Sequence, residues 1–334
     1  QIETIKVSYI CHPGQKDSIL MNKHSFTESY DTCPALLTEG AIVERLRHEY
    51  RISLDEQIVH AGLIYDEQHK QQLAAIYSQY LDIAESSRLP LLLMTPTRRA
   101  NKERIAASVF RDKDILADNV AFLSELRDRY TTPVYIGGLT GCRGDAYSNR
   151  KYFSKEEAFS YHLPTLLDFK ESEVDYLFAG IMPELTEATG MAKAMETTGL
   201  PYIISFMIGR NGRLMDGTFI HEAIEAIDKQ TSRPPVCYMA NCVHPDVLFE
   251  ALSHPMNDTE LVRTRFNGIQ ANASSLSPEE LNGCSCLQSS TAAELSDRLM
   301  TLLWDFPLKI CGGCCGTDGS HLKEFADILS RRAG

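Results

Sequence analysis

Pro235-Val236-Cys237-Tyr238-Met239-Ala240-Asn241-Cys242 is a run of mostly apolar side chains that stops at a carboxamide and a thiol. Its polarity does not alternate, so it does not read as a strand with one face in water. It reads as a parallel strand buried on both faces. Seven further runs, most of them near-continuously apolar, punctuate the chain: Ala35–Thr38, Leu89–Thr95, Pro133–Leu139, Val174–Met182, Leu200–Ile208, Phe266–Asn272 and Leu308–Gly312. The segments between them repeat at helical spacing. Leu73, Ile76, Tyr77, Tyr80, Leu81 and Ala84 form one stripe, Ile220, Ala223, Ile224 and Ile227 a second, and Leu322, Phe325, Ala326 and Leu329 a third. Strands alternating with helices imply right-handed crossovers and a parallel sheet. Eight such units at roughly 35 residues each match a (β/α)8 TIM barrel. An open doubly wound sheet is the rival, but Glu39-Gly40-Ala41 after the first strand is not the Gly-rich fingerprint that such a sheet carries. No composition break or linker interrupts the pattern. The expectation is a single-domain barrel over 35–334, preceded by an irregular N-terminal extension over 1–34.

Composition narrows the function. The 43% hydrophobic content suits a globular chain with a full core. A net charge of −12 argues against nucleic acid or an anionic membrane as partner, since both require a basic face. No apolar run approaches the roughly 20 residues of a membrane span. The first residues show no basic flank followed by an apolar core, so no signal peptide is visible. Gln1 is not an initiator residue, which leaves room for an upstream segment. Ten cysteines without a secretion signal read as reduced, metal-bound or buried thiols rather than a disulfide framework, and the expected location is cytoplasmic. On that reading the glycosylation patterns at Asn257 and Asn272 carry no meaning.

The chemistry concentrates in Cys311-Gly312-Gly313-Cys314-Cys315-Gly316. Two adjacent thiols among glycines pack poorly, and glycine would free the backbone and leave room for a bulky ligand. Thiolates are preferred ligands of zinc, which takes four in structural sites and leaves one position open in catalytic ones. A pair is half a site, and Cys242, at the end of the sixth strand, is the best third sulfur. In a barrel, active sites gather at the C-terminal ends of the strands, so Cys242, Cys314 and Cys315 open onto one mouth. The bland alternatives for Cys314 and Cys315 are small buried hydrophobes or a vicinal disulfide. Cys11, Cys33, Cys142, Cys237, Cys284, Cys286 and Cys311 show no ligand pattern. The ten histidines include no HExxH pair; His321 could support the site from behind, or could cap or pack the last helix. The loop Gly137-Gly138-Leu139-Thr140-Gly141-Cys142-Arg143-Gly144 could cradle an anion on its amides or be merely flexible.

Thr38-Glu39-Gly40-Ala41, Asn241-Cys242 and Gly312-Gly313-Cys314-Cys315-Gly316 together resemble the homocysteine S-methyltransferase family over about residues 35–331. That family includes betaine– and S-methylmethionine–homocysteine methyltransferases and the homocysteine domain of cobalamin-dependent methionine synthase. The resemblance implies a (β/α)8 barrel with zinc on Cys242, Cys314 and Cys315 and the substrate thiol in the fourth position. A free thiol, with a pKa of about 8.5, is mostly protonated at neutral pH, and zinc would deprotonate it outright.

The chain departs from the family pattern at three places. Glu39 stands where the family usually has aspartate, and Gly180 stands where the family places a glutamate for the amino group of homocysteine. Arg98, in Thr95-Pro96-Thr97-Arg98-Arg99, stands near a position that is often aromatic. The expected substrate-binding residues are therefore Glu39, Glu184 (compensating for Gly180), Arg98 for an anionic group, and Asn241. The expected partners are a small-molecule thiol acceptor and a small-molecule methyl donor or a separate methyl-carrier protein, with a homo-oligomer possible. A non-catalytic zinc or thiol-binding relative, and a dithiol redox protein using Cys314 and Cys315, remain open at this point.

Overall fold

The computed structural model describes residues 24–144, 146, 153–275 and 290–333. Eight parallel strands close on themselves in chain order: β1 (Leu36–Thr38), β2 (Leu91–Met94), β3 (Val134–Gly141), β4 (Tyr176–Met182), β5 (Tyr202–Phe206), β6 (Cys237–Val243), β7 (Phe266–Ala271) and β8 (Ile310–Gly313). Closure is made by β8 against β1, with Leu36 opposite Ile310 and Leu37 opposite Cys311. The fold is the single-domain (β/α)8 barrel expected from the alternating runs. The paired strands begin a residue or two inside most of the apolar runs, while β3 reaches Gly141 because Gly141 still finds Gly180 on β4.

Each run is apolar throughout because its two faces meet different cores. Along β6, Cys237 and Met239 join Leu36, Leu92, Tyr135, Tyr176, Phe178, Ile203 and Ile310 inside the barrel. Tyr238 and Ala240 face outward, into the layer between strands and helices. The helical stripes fill that layer from the other side. The buried residues of the helix Glu67–Ser87 are the six in the first stripe, and those of Ile220–Gln230 are the four in the second. In the last helix, Gly319–Ala333, the four stripe residues are likewise buried. No helix among the described residues is long and apolar enough to cross a membrane.

Residues before β1 are less irregular than the sequence suggested. Phe26–Thr32 forms a helix, α1, opened by a capping box in which Ser25 and Glu28 satisfy each other's backbone N–H groups. Phe26 is buried at the N-terminal end of the barrel, its ring 4.8 Å from that of Tyr176 and 6.0 Å from that of Tyr135. The Ser29 and Tyr135 hydroxyls hydrogen-bond beside it. This short helix stoppers the barrel floor and leaves the opposite end for chemistry.

The glycines of β3 do not form an anion cradle. Gly137 and Gly138 lie inside the strand, where an added Cβ would run into Tyr176 and Phe169 respectively. They let large aromatic rings pack against the backbone. Cys11, Cys284 and Cys286 lie outside the described residues.

Candidate metal and thiol site at the barrel mouth

The sulfur atoms of Cys242, Cys314 and Cys315 all lie within 4.8 Å of one another at the C-terminal end of the barrel. Cys242 Sγ stands 2.7 Å from Cys314 Sγ and 4.0 Å from Cys315 Sγ. Strand alternation alone would not bring it there. Asn241 follows Cys237 and Met239 inward, so Cys242 should point out toward the helices with Tyr238 and Ala240. Instead Cys242 adopts φ 56°, and the register with β7 slips between Asn241 and Val243. This bulge turns the thiol into the mouth.

A matching bulge sits two strands away around the barrel. On β4 the register slips between Ala179 and Met182, and Ile181 takes φ 55°, costly for a β-branched residue. The two bulges are tied by Asn241. Its Oδ1 accepts the backbone N–H of Ile181 at 2.9 Å and the hydroxyl of Ser205 at 2.6 Å. Asn241 lines the cavity, but its carboxamide oxygen is engaged in holding the rim in shape.

Cys314 and Cys315 are held by backbone. The Cys314 N–H donates to Ala271 O at 2.7 Å, and the Cys315 carbonyl accepts from Ala273 N–H at 2.9 Å. Thr317 donates its hydroxyl to the Cys314 carbonyl at 2.7 Å, and the Gly316 N–H meets the Glu44 carboxylate. Of the motif's glycines, only Gly316 uses a left-handed conformation, with φ 80°. Gly312 and Gly313 do not leave room for a ligand: an added Cβ would strike Thr38 at the first and Thr317 at the second. They allow β8 to press against the end of β1.

All three thiols are pushed well above their ordinary pKa: the hydrogen bonds among the sulfurs act in both directions, one neighbour lowering and the other raising each thiol, and burial together with the charge of a neighbouring sulfur raises all three. Three thiolates cannot share so small a volume without a cation. Tetrahedral bonds of about 2.3 Å place sulfurs about 3.8 Å apart, a spacing that the observed separations bracket. Three soft donors converging on one point, with the mouth open beyond them, fit a zinc-type ion that retains one exchangeable position.

The sulfurs form part of the wall of a cavity of ≈ 280 Å³. Glu39, Arg98 and Asn241 line it too; Glu184 does not. Glu184 is buried at the N-terminus of the helix Leu185–Thr198. At Gly180 an added Cβ would come within 3.0 Å of Leu139 Cδ1, so this part of the wall is apolar and closely filled. His321 is likewise outside the lining. Its ring nitrogens meet Asp318 Oδ1 at 2.8 Å and Ser290 O at 3.2 Å, which secures the last helix.

Glu39 is the deepest acid of the cavity. Its Oε2 accepts the Met94 N–H at 2.8 Å, yet burial outweighs that bond and raises its pKa from 4.5 to about 8. The carboxyl is therefore mostly protonated at neutral pH, poised to ionise when a cationic group arrives. The linkage has a definite sign. A carboxyl with a raised folded-state pKa contributes stability that is fully present below about 4.5 and is lost as pH rises through about 8. Replacing Glu39 by Gln removes that loss, a difference of roughly a few kcal/mol at alkaline pH. Melting curves from acid to alkaline pH should show the Glu39→Gln protein gaining on wild type as pH rises; a constant gap would refute the assignment.

Sequence reasoning missed His60 and Gln270, both of which line the cavity. Gln270 was detectable as the inward polar residue of an apolar strand, and its Nε2 donates to Thr38 Oγ1 at 3.2 Å. His60 lies in a loop without periodicity and carries no motif.

Comparison with known proteins follows the same line. A family model described as homocysteine S-methyltransferase matches residues 36–329. No curated protein matches the chain. Among solved structures, the chain is similar to the homocysteine methyltransferase MmuM from Escherichia coli. With the oxidized form it shares 18% identity at a TM-score of 0.69, over 88% of this chain and 96% of that one. With the apo form the identity is 16% and the TM-score 0.64, over 89% and 97% respectively. At such identities the likeness speaks for the fold.

Proposed function

The chain belongs to the homocysteine S-methyltransferase family and is a methyltransferase, and on that footing we propose that it moves a methyl group from a small-molecule donor to homocysteine, or a closely related thiol, held by zinc on Cys242, Cys314 and Cys315. The observation that carries this reading is the convergence of the three sulfurs at an open cavity, brought about by a strained bulge at Cys242 that packing alone does not require. When bound, zinc would keep the acceptor sulfur deprotonated and so nucleophilic at neutral pH.

The protein's own residues do the rest. Asn241 ties the β4 and β6 bulges together and so fixes the direction of the Cys242 sulfur. Glu39 receives the ammonium end of the acceptor, yielding its proton as the cation settles against it. That role substitutes for the acid missing at Gly180, whose place is closed by Leu139. The walls from Leu139, Phe178 and Ile181 keep water from the attacking sulfur and leave an apolar surface for a methyl group. A three-thiol site of this kind works where cysteines stay reduced, which supports a cytoplasmic setting.

The reading is tested by incubating zinc-loaded protein with homocysteine and a set of methyl donors, sulfonium and quaternary ammonium, and measuring the methyl thioether. Formation of methionine, dependent on zinc and lost on chelation, is the expected result. A zinc-replete protein that methylates no thiol with any donor would sink the proposal.

A further inference from the structure

His60 is buried to 7% exposure in the wall of the cavity, and its Nδ1 has no hydrogen-bond partner. A buried unpaired ring nitrogen costs on the order of 1–3 kcal/mol, so its retention needs a reason. The loop that delivers it is tightly constrained. Asp55 and Val59 bridge through paired backbone bonds of 3.0 Å, and Asp55 Oδ1 accepts from the N–H groups of Gln57 and Ile58 at 2.8 and 2.9 Å. Val59 is thereby held at φ 59°, a conformation that β-branched residues avoid, immediately before His60. Strain of this kind gathers at functional positions.

Two cations share the wall with the imidazole. Arg98 is half-buried and Arg47 exposed, both line the cavity, and among the described residues neither forms an ion pair or side-chain hydrogen bond. Burial first, and then the charges of Arg98 and Arg47, lower the His60 pKa to about 3, so the ring stays neutral. In a chain of net charge −12, unpaired guanidinium groups at the cavity that holds the three sulfurs are a local exception. The two guanidinium groups beside the neutral imidazole repel a further cation, and as the Nε2–H tautomer the ring keeps the sealed Nδ1 as a bare lone pair and presents a donor to an anion in the cavity.

We propose that His60, Arg98 and Arg47 form an anion subsite that takes a carboxylate of a substrate, with His60 as its neutral donor and Arg98 as its principal charge. The subsite rests on the methyltransferase reading of the cavity and adds to it a discrimination that the metal site cannot supply. Zinc reads sulfur and ignores what the rest of the molecule carries. Planar carboxylates suit guanidinium, and a charge-assisted bond from the ring adds direction. The acceptor and the methyl donor are both possible sources of that carboxylate.

Calorimetric titration of zinc-loaded protein separates the sources. One arm compares homocysteine with the aminopropanethiol left when its carboxylate is replaced by hydrogen. The other compares dimethylsulfoniopropionate with ethyldimethylsulfonium. A preference of about tenfold or more for the carboxylate in one arm is expected. His60→Phe and Arg98→Gln should each collapse that ratio toward one, while His60→Asn, which restores a donor, should recover part of it. Arg98 is half-buried, so its variant remains informative even where His60→Phe disturbs folding. Equal affinity within both pairs, or ratios unchanged in His60→Phe and Arg98→Gln, would overturn the subsite. Intact discrimination with no methylated thiol in the product assay would instead keep the subsite and refute methyl transfer.

Discussion

Cys314→Ser should empty the proposed metal site and abolish methyl transfer while the barrel stays folded. Serine keeps the size of the side chain and the backbone bond from Cys314 N–H to Ala271 O. The sulfur stands half-buried at the rim, outside the apolar clusters that hold the strands together. The two remaining thiols, Cys242 and Cys315, supply too few charges to retain zinc against a mild chelator. Zinc content should fall from about one per chain to near none. Without the metal the acceptor thiol is mostly protonated, and the loss in kcat/KM should reach about a thousandfold. Elemental analysis after dialysis, with a melting curve in parallel, decides the matter. Full zinc retention would dismiss the three-sulfur site; loss of the fold would dismiss the claim that the core is independent of it.

Gly312→Ala should damage stability and site together, although it adds one methyl group. The new Cβ would collide with Thr38 Oγ1 and sit 2.7 Å from the Thr38 carbonyl oxygen. Two of the three nearest atoms belong to the Thr38 backbone, so rotating the Thr38 side chain does not by itself relieve the clash. Overpacking of this kind costs about 1–3 kcal/mol and sometimes more. Thr38 also accepts the Gln270 carboxamide and directly precedes Glu39, and Gly313 N–H donates to the Glu39 carbonyl at 3.0 Å. Pushing β1 and β8 apart therefore displaces the deep acid and the thiol pair in opposite directions. A melting temperature lowered by several degrees, with weaker acceptor binding, is expected from denaturation and steady-state assays. An unchanged melting temperature would show that Thr38 has room to move.

The barrel was legible because each strand is apolar on both faces and each helix on one, as Val236–Cys242 and the Leu73–Ala84 stripe illustrate. Cys314 and Cys315 were legible because adjacent thiols among glycines have little value in packing. The direction of the Cys242 side chain was not. Simple alternation sends it away from the mouth, and only the bulge at φ 56° brings it back. Bulges depend on register between neighbouring strands, a pairwise property that one strand's sequence does not display. The role of Gly312 and Gly313 was misread for a related reason: what fills the space beside a glycine comes from Thr38 and Thr317, the first of them far away in the chain. His60 was invisible because its loop has no period to read. Helix α1, by contrast, was announced by Ser25 and Glu28 at capping-box spacing and was overlooked for its brevity.

Phe26, wedged against Tyr176 and Tyr135 under the barrel, also bears on the timing of events at the far end. With the floor stoppered, reactants share one doorway, and traffic through it has to take turns. On the proposed reading, the acceptor held against the sulfurs and Glu39 would arrive before a donor seated nearer the rim, and would wait for the spent donor to leave before it could exit. Such a cul-de-sac would impose a sequence on arrival and departure, so kinetic order would here be a property of architecture, set by the packed side chains that fill the barrel interior, Phe26 among them.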